Sequence, residues 1–596
     1  MKNTLIVFLF LLGCSAPKYE DDSSVYKRQV VRVPMRDGVL LYTEIYAPEN
    51  PKEDLPFLIK RSPYGMRIRS DSIHTAITGS YKELAGDQYI FVFQDIRGRY
   101  KSGGEFVMMR PARDVEDSSS VDEGTDTFDT IEWLLENVDG HNGKAGQLGI
   151  SYDGWLTVMS LIEPHPALAA ISPQASPSDM YIGDDFVHNG ALRLSPAFGY
   201  AALMESGKTN MPFQFDPPDT YDFFLELGPL SNANKNYFHG NLPSWNNFMD
   251  HPNYDDYWSN LNVDHHLKTV TVPTLSVAGW WDAEDFYGPM KIYQTLEAFD
   301  TEDINYLLVG PWQHGGWARN SGQKLGALDF GSETSVYFKE IQAKWFAYQL
   351  KGKGSWEIEE ALTFRTGENE WIPDSQWPPD HPENVRMYLN GNGELTTNAS
   401  DSETSFISDP ANPVPYVKRP IPGFWQNAKS KYLWKVEDQR FVSDRKDIAN
   451  FITPPLSEDI VVAGEIIANL LAKTTGTDCD WIVKLIDVYP EDSTEMSGFQ
   501  LMIADEVLRA KYRNGFMSPI SVPANEPVSY RISLNSRHHT FKTGHKIMIQ
   551  IQSTWFPLIG RNPQKFIDIP LATENDFQKA TQTIYGTSYI ELPTIN

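Results

Sequence analysis

The segment Tyr89-Ile90-Phe91-Val92-Phe93-Gln94-Asp95 is apolar without alternation. A strand with apolar side chains on both faces must be covered on both faces, and a parallel sheet flanked by helices does this. Similar runs occur near Gly146 to Ile150, Leu168 to Pro173, Val270 to Val277 and Ile304 to Val309. Before them, QVVRVPM and VLLYTEIYAP flank Asp37-Gly38, a hairpin signal, and FLIKR follows. Asp126 to Val138 reads as a helix. Phe128, Ile131, Leu134, Leu135 and Val138 share one face, and Asp126 or Thr127 is the expected N-cap. Strands alternating with helices indicate a doubly wound α/β sheet over 27–176 and 268–351.

Two stretches depart from that alternation. Residues 177–267 are rich in aromatics, Asn and Pro (MPFQFDPPDTYDFF, NYFHGNLPSWNNFMDHPNYDDYW) and read as a helical cap inserted over the sheet. After Leu350-Lys351-Gly352-Lys353-Gly354 strands dominate: TFRT, VRMYLN, DIVVAGEIIANLLA, DWIVKLIDVYP, YRISL and HKIMIQIQS. In the last, Ile547, Ile549 and Ile551 alternate with Lys546, Met548, Gln550 and Gln552. A jelly-roll β-sandwich over 352–596 is expected. A chain of 596 residues has ample core without metals or disulfides as staples. Its 51 basic and 79 acidic residues leave a charge of −28, which repels phosphate backbones and argues against nucleic-acid binding.

The N-terminus, MKNTLIVFLFLLGCSAPKYE, has one lysine followed by an apolar run from Leu5 to Leu12, too short to span a bilayer. It reads as a secretory leader. Leu11-Leu12-Gly13-Cys14 resembles the bacterial lipobox, which implies cleavage after residue 13, lipid on Cys14 and a polar tether over 14–26. The expected location is the bacterial cell envelope, with membrane contact through that lipid only. Cys479 is the other cysteine, so no internal disulfide is expected.

Chemistry concentrates at Gln147-Leu148-Gly149-Ile150-Ser151-Tyr152-Asp153-Gly154-Trp155. Small residues around a serine between an apolar strand and a helix are what a nucleophile elbow requires, although the second glycine falls one place later than in G-x-S-x-G. A serine nucleophile needs a base, and the base needs an orienting acid. Asp282 and His314 each follow an apolar strand, in the chain order Ser, Asp, His that such sheets use. His538, His539 and His545 fall in the β region, and His265-His266 are adjacent. Neither H-E-x-x-H nor paired Cys/His spacing occurs, so no metal site and no cofactor are expected.

GISYDG resembles the G-x-S-Y-x-G elbow of the cocaine esterase / X-Pro dipeptidyl-peptidase group of serine hydrolases (CocE/NonD), which accounts for the displaced glycine. Arg61-Ser62-Pro63-Tyr64-Gly65 is similar to the group's R-x-P-Y-G loop, and Asp95 to Gly104 to its D-x-R-G-x-x-x-S-x-G segment. LSEDIVVAGE, DWIVKLIDVYP and STWFPLIGRNPQ resemble its jelly-roll segments. The resemblance implies an α/β-hydrolase fold with a helical cap and a C-terminal jelly roll. Trp281-Asp282-Ala283-Glu284-Asp285 and Gly183-Asp184-Asp185-Phe186 resemble segments of the α-amino-acid ester hydrolases, which include β-lactam antibiotic acylases. That likeness implies a triad of Ser151, Asp282 and His314. It implies an oxyanion hole from the Tyr64 hydroxyl and the Tyr152 amide. It also implies a carboxylate cluster of Asp185, Glu284 and Asp285 for a substrate ammonium. Asp184 is the alternative to Asp185; spacing from Ser151 favours Asp185. The implied partner is a small acyl substrate with a free α-amine, and a homo-oligomer is implied by the family.

Competing readings remain at this level. Glu284 and Asp285 suit the N-terminus of a helix starting near Phe286. Arg97 and Arg99 read as structural ion pairs, and Asp153 as a solvated or hydrogen-bonded neighbour of the elbow. Carboxylesterase, glutaryl-cephalosporin-type acylase and prolyl dipeptidase activities are open within the group. A non-catalytic envelope binding lipoprotein is a remote alternative.

Overall fold

The computed structural model describes residues 26–595 apart from 67, 70–72, 115, 118, 381, 428 and 492–494. The expected leader over 1–13, Cys14 and the tether up to residue 25 lie outside the described residues. Strands of the central sheet are β1 (Tyr26–Pro34), β2 (Leu40–Pro48), β3 (Leu55–Ser62), β4 (Ile90–Asp95), β5 (His141–Ile150), β6 (Leu168–Gln174), β7 (Thr274–Gly279), β8 (Asn305–Gly310), β9 (Ala361–Arg365) and β10 (Glu370–Asp374). They lie in the order β1-β2-β4-β3-β5-β6-β7-β8-β9-β10. From β4 across to β9 neighbouring strands are parallel. All six residues of β4 are buried, as its unbroken apolar run requires. β1 and β2 form the antiparallel hairpin around Asp37-Gly38.

The sheet extends past the expected boundary at residue 351. Thr363 to Arg365 of the TFRT run lie in β9, whose Ala361 pairs with Leu307 of β8, while Thr366 bridges to His539 of the β-sandwich. β10 then closes the edge antiparallel. A short buried strand has the same local character in either domain, so composition does not tell which sheet it joins.

Helix α1 (Glu123–Asn137) begins a turn earlier than the periodicity suggests. Asp122 caps it, accepting from the Thr125 N–H while Thr125 accepts from Asp122. Asp126, the expected cap, lies inside the helix and is buried against Arg61 at 3.3 Å and Arg97 at 2.6 Å. Arg97 also pairs with Asp37, so it is an ion-pair residue as expected. Arg99 is not. It donates to the carbonyls of Pro63, Met204 and Gly207 and to Asn210, which ties the loop after β4 to the cap.

Between β6 and β7 the cap carries helices Leu194–Glu205, Thr220–Leu227, Pro243–Asp250 and Asp256–Leu261. Its aromatic richness has a packing cause. The Phe198 ring lies 4.4 Å from that of Phe238, 4.9 Å from Phe213, 5.2 Å from Phe224 and 5.5 Å from Trp245, so the insertion has a core of its own.

Past β10, a seven-stranded and a four-stranded sheet form the β-sandwich domain. Lys546–Gln552 is central in the smaller sheet, between Ile448–Ile452 and Asp480–Val488. Its alternation suggests one wet face, yet every residue after Lys546 is buried. The Gln550 side-chain NH2 donates to Asn450 and that of Gln552 to the Thr554 carbonyl, so each buried amide has a partner for its nitrogen. Among the described residues no helix is long and apolar enough to cross a membrane.

Candidate active site

Ser151 sits between β5 and helix α2 (Tyr152–Met159) at φ 67° and ψ −129°. This conformation is costly for a residue with a Cβ, and such strain is held only where neighbours over-determine it. The neighbours here are backbone. The Ser151 N–H donates to the Gln174 carbonyl at 2.9 Å, and the Trp155 N–H to Ser151 at 2.9 Å. A Cβ at Gly149 would stand 2.1 Å from the Asp153 carbonyl oxygen, and one at Gly154 would stand 2.6 Å from that of Gln174. The late glycine is therefore a packing requirement of this turn. Asp153 is buried and paired with Lys60 at 3.0 Å, so it is held in an ion pair and not solvated.

The turn after β7 carries Asp282, and the loop after β8 carries His314. His314 Nδ1 lies 3.0 and 2.9 Å from the two Asp282 oxygens. Asp282 Oδ1 also accepts the N–H groups of Glu284 at 2.8 Å and Asp285 at 3.0 Å. Burial works against the charge of Asp282, but His314 and those two amides hold its carboxyl below the usual range. Burial likewise disfavours the imidazolium of His314, yet Asp282 and Glu284 outweigh it and raise the imidazole. Trp280 donates to the Phe364 carbonyl and Trp281 to that of Met502, so the acid turn is pinned to β9 and to the β-sandwich.

Ser151, His314, Glu284 and Tyr64 line one cavity of about 360 Å³. The Tyr64 hydroxyl is 2.8 Å from that of Tyr200 on the cap helix Leu194–Glu205. The Tyr152 side chain points away and accepts the Met109 N–H at 2.7 Å, while its amide is among the first-turn N–H groups that a helix leaves without an intrahelical acceptor.

The acidic residues divide clearly. Asp184 accepts three backbone N–H groups, from Ser178, Asp179 and Gly288. It is a structural tie across the cap and the start of the helix Tyr287–Glu297. Asp185 Oδ1, Glu284 Oε1 and both oxygens of Asp285 are buried without a hydrogen-bond partner among the described residues. The N-cap of the helix Tyr287–Glu297 is Phe286, with no side-chain cap, so Glu284 and Asp285 do not serve it. Burial and the Glu284 charge push Asp185 up to about 6. Burial and the surrounding carboxylates push Asp285 well above the ordinary range.

A strained serine beside an imidazole oriented by a buried carboxylate is equipped for acyl transfer. Residues 37–316 match the model of the X-Pro dipeptidyl-peptidase (S15) family, and residues 348–588 match the X-Pro dipeptidyl-peptidase C-terminal non-catalytic domain. A solved α-amino acid ester hydrolase superimposes with a TM-score of 0.92 at 35% identity, covering 99% of this chain and 100% of that one. The chain belongs to the CocE/NonD family of serine hydrolases. An aminopeptidase from the marine sediment archaeon Thaumarchaeota archaeon also matches at a TM-score of 0.92 and 34% identity, covering 99% of this chain and 100% of that one. Cocaine esterase of Rhodococcus sp. (strain MB1 Bresler) is 28% identical over 559 residues, 89% of this chain and 91% of its own.

Three cations and a tyrosine of this hydrolase's site carry no sequence motif. Tyr200 holds Tyr64, and Lys60 holds Asp153. Arg193 donates to the carbonyls of Asp185 and Ala283, joining the two segments that carry the cluster. Lys431, from the β-sandwich domain, lies 3.2 Å from Glu284 Oε2. Each reaches the site through tertiary contact alone.

The raised His314 sets a pH dependence. Only the neutral imidazole can accept a proton, and its fraction falls as pH drops through the raised value. For an uncharged ester, kcat/KM should therefore rise with pH on a limb lying above the ordinary imidazole value of about 6.5. A limb clearly below about 6 would contradict the Asp282–His314 electrostatics.

Proposed function

We propose that this serine hydrolase cleaves esters or amides of α-amino acids through an acyl-enzyme on Ser151. His314 takes the Ser151 proton, and Asp282 holds the imidazole tautomer and stabilises the imidazolium. The Tyr64 hydroxyl and the Tyr152 amide receive the oxyanion, each donor contributing about 3–4 kcal/mol. When Tyr200 donates to Tyr64, the Tyr64 proton is left for the substrate. Proton transfer to the leaving group and attack by water complete the cycle.

The observation that carries the substrate class is the set of unpartnered, buried carboxylate oxygens on Asp185, Glu284 and Asp285. Buried polar atoms without partners are costly, and clustered carboxylates repel one another. An ammonium supplies both hydrogen bonds and the opposite charge. An uncharged acyl group supplies neither. The likeness to an α-amino acid ester hydrolase over the whole chain supports the same reading.

We further propose that Cys14 is lipidated and anchors the enzyme in a bacterial envelope, supported by Leu11-Leu12-Gly13-Cys14 after a short apolar run. The chains added at a lipoprotein cysteine exceed the single acyl group that gives only marginal binding.

Ser151→Ala should remain folded and lose ester turnover by several powers of ten; near-normal turnover excludes Ser151 as nucleophile. Glu284→Gln should raise KM for aminoacyl esters at least tenfold and affect acetate esters less. An equal fall in both classes favours the carboxylesterase alternative. Cys14→Ala should move the protein out of the membrane fraction or leave its leader uncleaved, and mass spectrometry of an unmodified wild-type Cys14 would overturn the anchor.

A further inference from the structure

Lys431 is a cation from one domain placed in the carboxylate cluster of another. It lies on the turn Lys429–Leu433 of the β-sandwich domain and lines the same cavity as Ser151. Its Nζ is 3.2 Å from Glu284 Oε2 and stands over the Trp425 ring at 4.2 Å and the Tyr432 ring at 4.9 Å. The same Glu284 oxygen is 3.6 Å from His314 Nε2, the nitrogen that must be unprotonated for reaction. Glu284 thus touches a cation on one side and the base on the other, while its second oxygen has no partner among the described residues.

From this geometry we infer that Lys431 is a specificity-determining residue: a resident counter-cation that stands in for the substrate ammonium while the site is empty or holds an uncharged acyl group. The inference rests on the reading that the cluster receives an ammonium. Without a cation beside it, Glu284 stabilises imidazolium at His314 and holds the base in its unreactive form. Lys431 opposes that pull in the absence of substrate. An aminoacyl substrate brings a second cation to the cluster and makes the same correction itself.

The surrounding charges agree in sign. Asp282 and Glu284 face His314 from the acid turn, Asp185 from the cap and Lys431 from the β-sandwich, while Arg319 donates to the His314 carbonyl. Burial pulls the imidazole down, Asp282 and Glu284 pull it up, and Lys431 pulls it down again. Lys431 also acts against the burial-driven rise of Asp185. Removing its charge therefore pushes both groups toward protonation, and the acid limb of activity moves to higher pH.

Lys431→Met keeps an unbranched apolar stem over Trp425 and deletes the charge. The pH dependence of kcat should be measured with an aminoacyl ester and with the matching des-amino ester. For the des-amino ester the acid limb should move up by about one pH unit, a tenfold loss below the limb. For the aminoacyl ester it should stay near its wild-type position, because the bound ammonium replaces the lost charge. Added methylammonium should restore the des-amino limb, and Lys431→Arg should leave it unmoved. A des-amino limb that does not shift, or one that shifts equally for both esters without rescue by methylammonium, overturns the inference. Lys431→Gln supplies the same comparison if the Met variant does not fold. Absence of an aminoacyl preference in the wild type would defeat the ammonium reading instead, and the des-amino limb of the variant would still decide the role of Lys431.

Discussion

One carboxylate oxygen organises the site. Asp282 Oδ1 accepts from His314 and from the backbone N–H groups of Glu284 and Asp285. The bond that orients the base therefore also folds the next residues back under the cavity. Asp282, Glu284 and Asp285 form one hydrogen-bonded turn. Buried carboxylates are tolerated only when amides or cations satisfy them. Asp282 accepts from His314 and two amides and Asp184 from three amides, whereas Asp185, Glu284 and Asp285 each keep at least one oxygen without a partner among the described residues.

The β-sandwich is part of this arrangement. Met502 takes the Trp281 indole N–H, which fixes the acid turn from behind. Trp425, Lys431 and Tyr432 line the cavity from the front. Arg193, on the cap, closes the third side by bridging the Asp185 and Ala283 carbonyls. Hydrolase sheet, cap and sandwich each supply a group that touches the carboxylate cluster or the turn bearing it, so the site is built by the assembled chain and not by the hydrolase domain alone.

Much of this was legible in the sequence where the signal is local. The apolar run of β4, the Asp37-Gly38 hairpin and the small residues around Ser151 follow from steric rules within a few residues. Asp282 and His314 stand out because each directly follows an apolar strand. The missed features depend on contacts distant in sequence. The start of α1 differs from its periodicity because Asp126 is consumed by Arg61 and Arg97, leaving the cap to Asp122. β9 follows the expected boundary yet pairs with the central sheet, because strand texture does not say which neighbour a strand joins. Nothing in the residues around Lys431, Arg193 or Tyr200 marks them, since each acts through a partner distant in sequence or on another layer of the fold.

The central claim is that a serine nucleophile shares its cavity with Glu284, the cavity-lining member of a carboxylate cluster that we propose binds an ammonium. It is tested most directly by the wild-type enzyme with two esters that differ only in the α-amine, such as phenylalanine methyl ester and its des-amino analogue, compared as kcat/KM at a pH where the amine is charged. The account predicts a preference for the amine-bearing ester of at least a hundredfold, falling as pH rises and the ammonium is lost. Equal turnover of the two esters, or a preference for the des-amino ester, would contradict it.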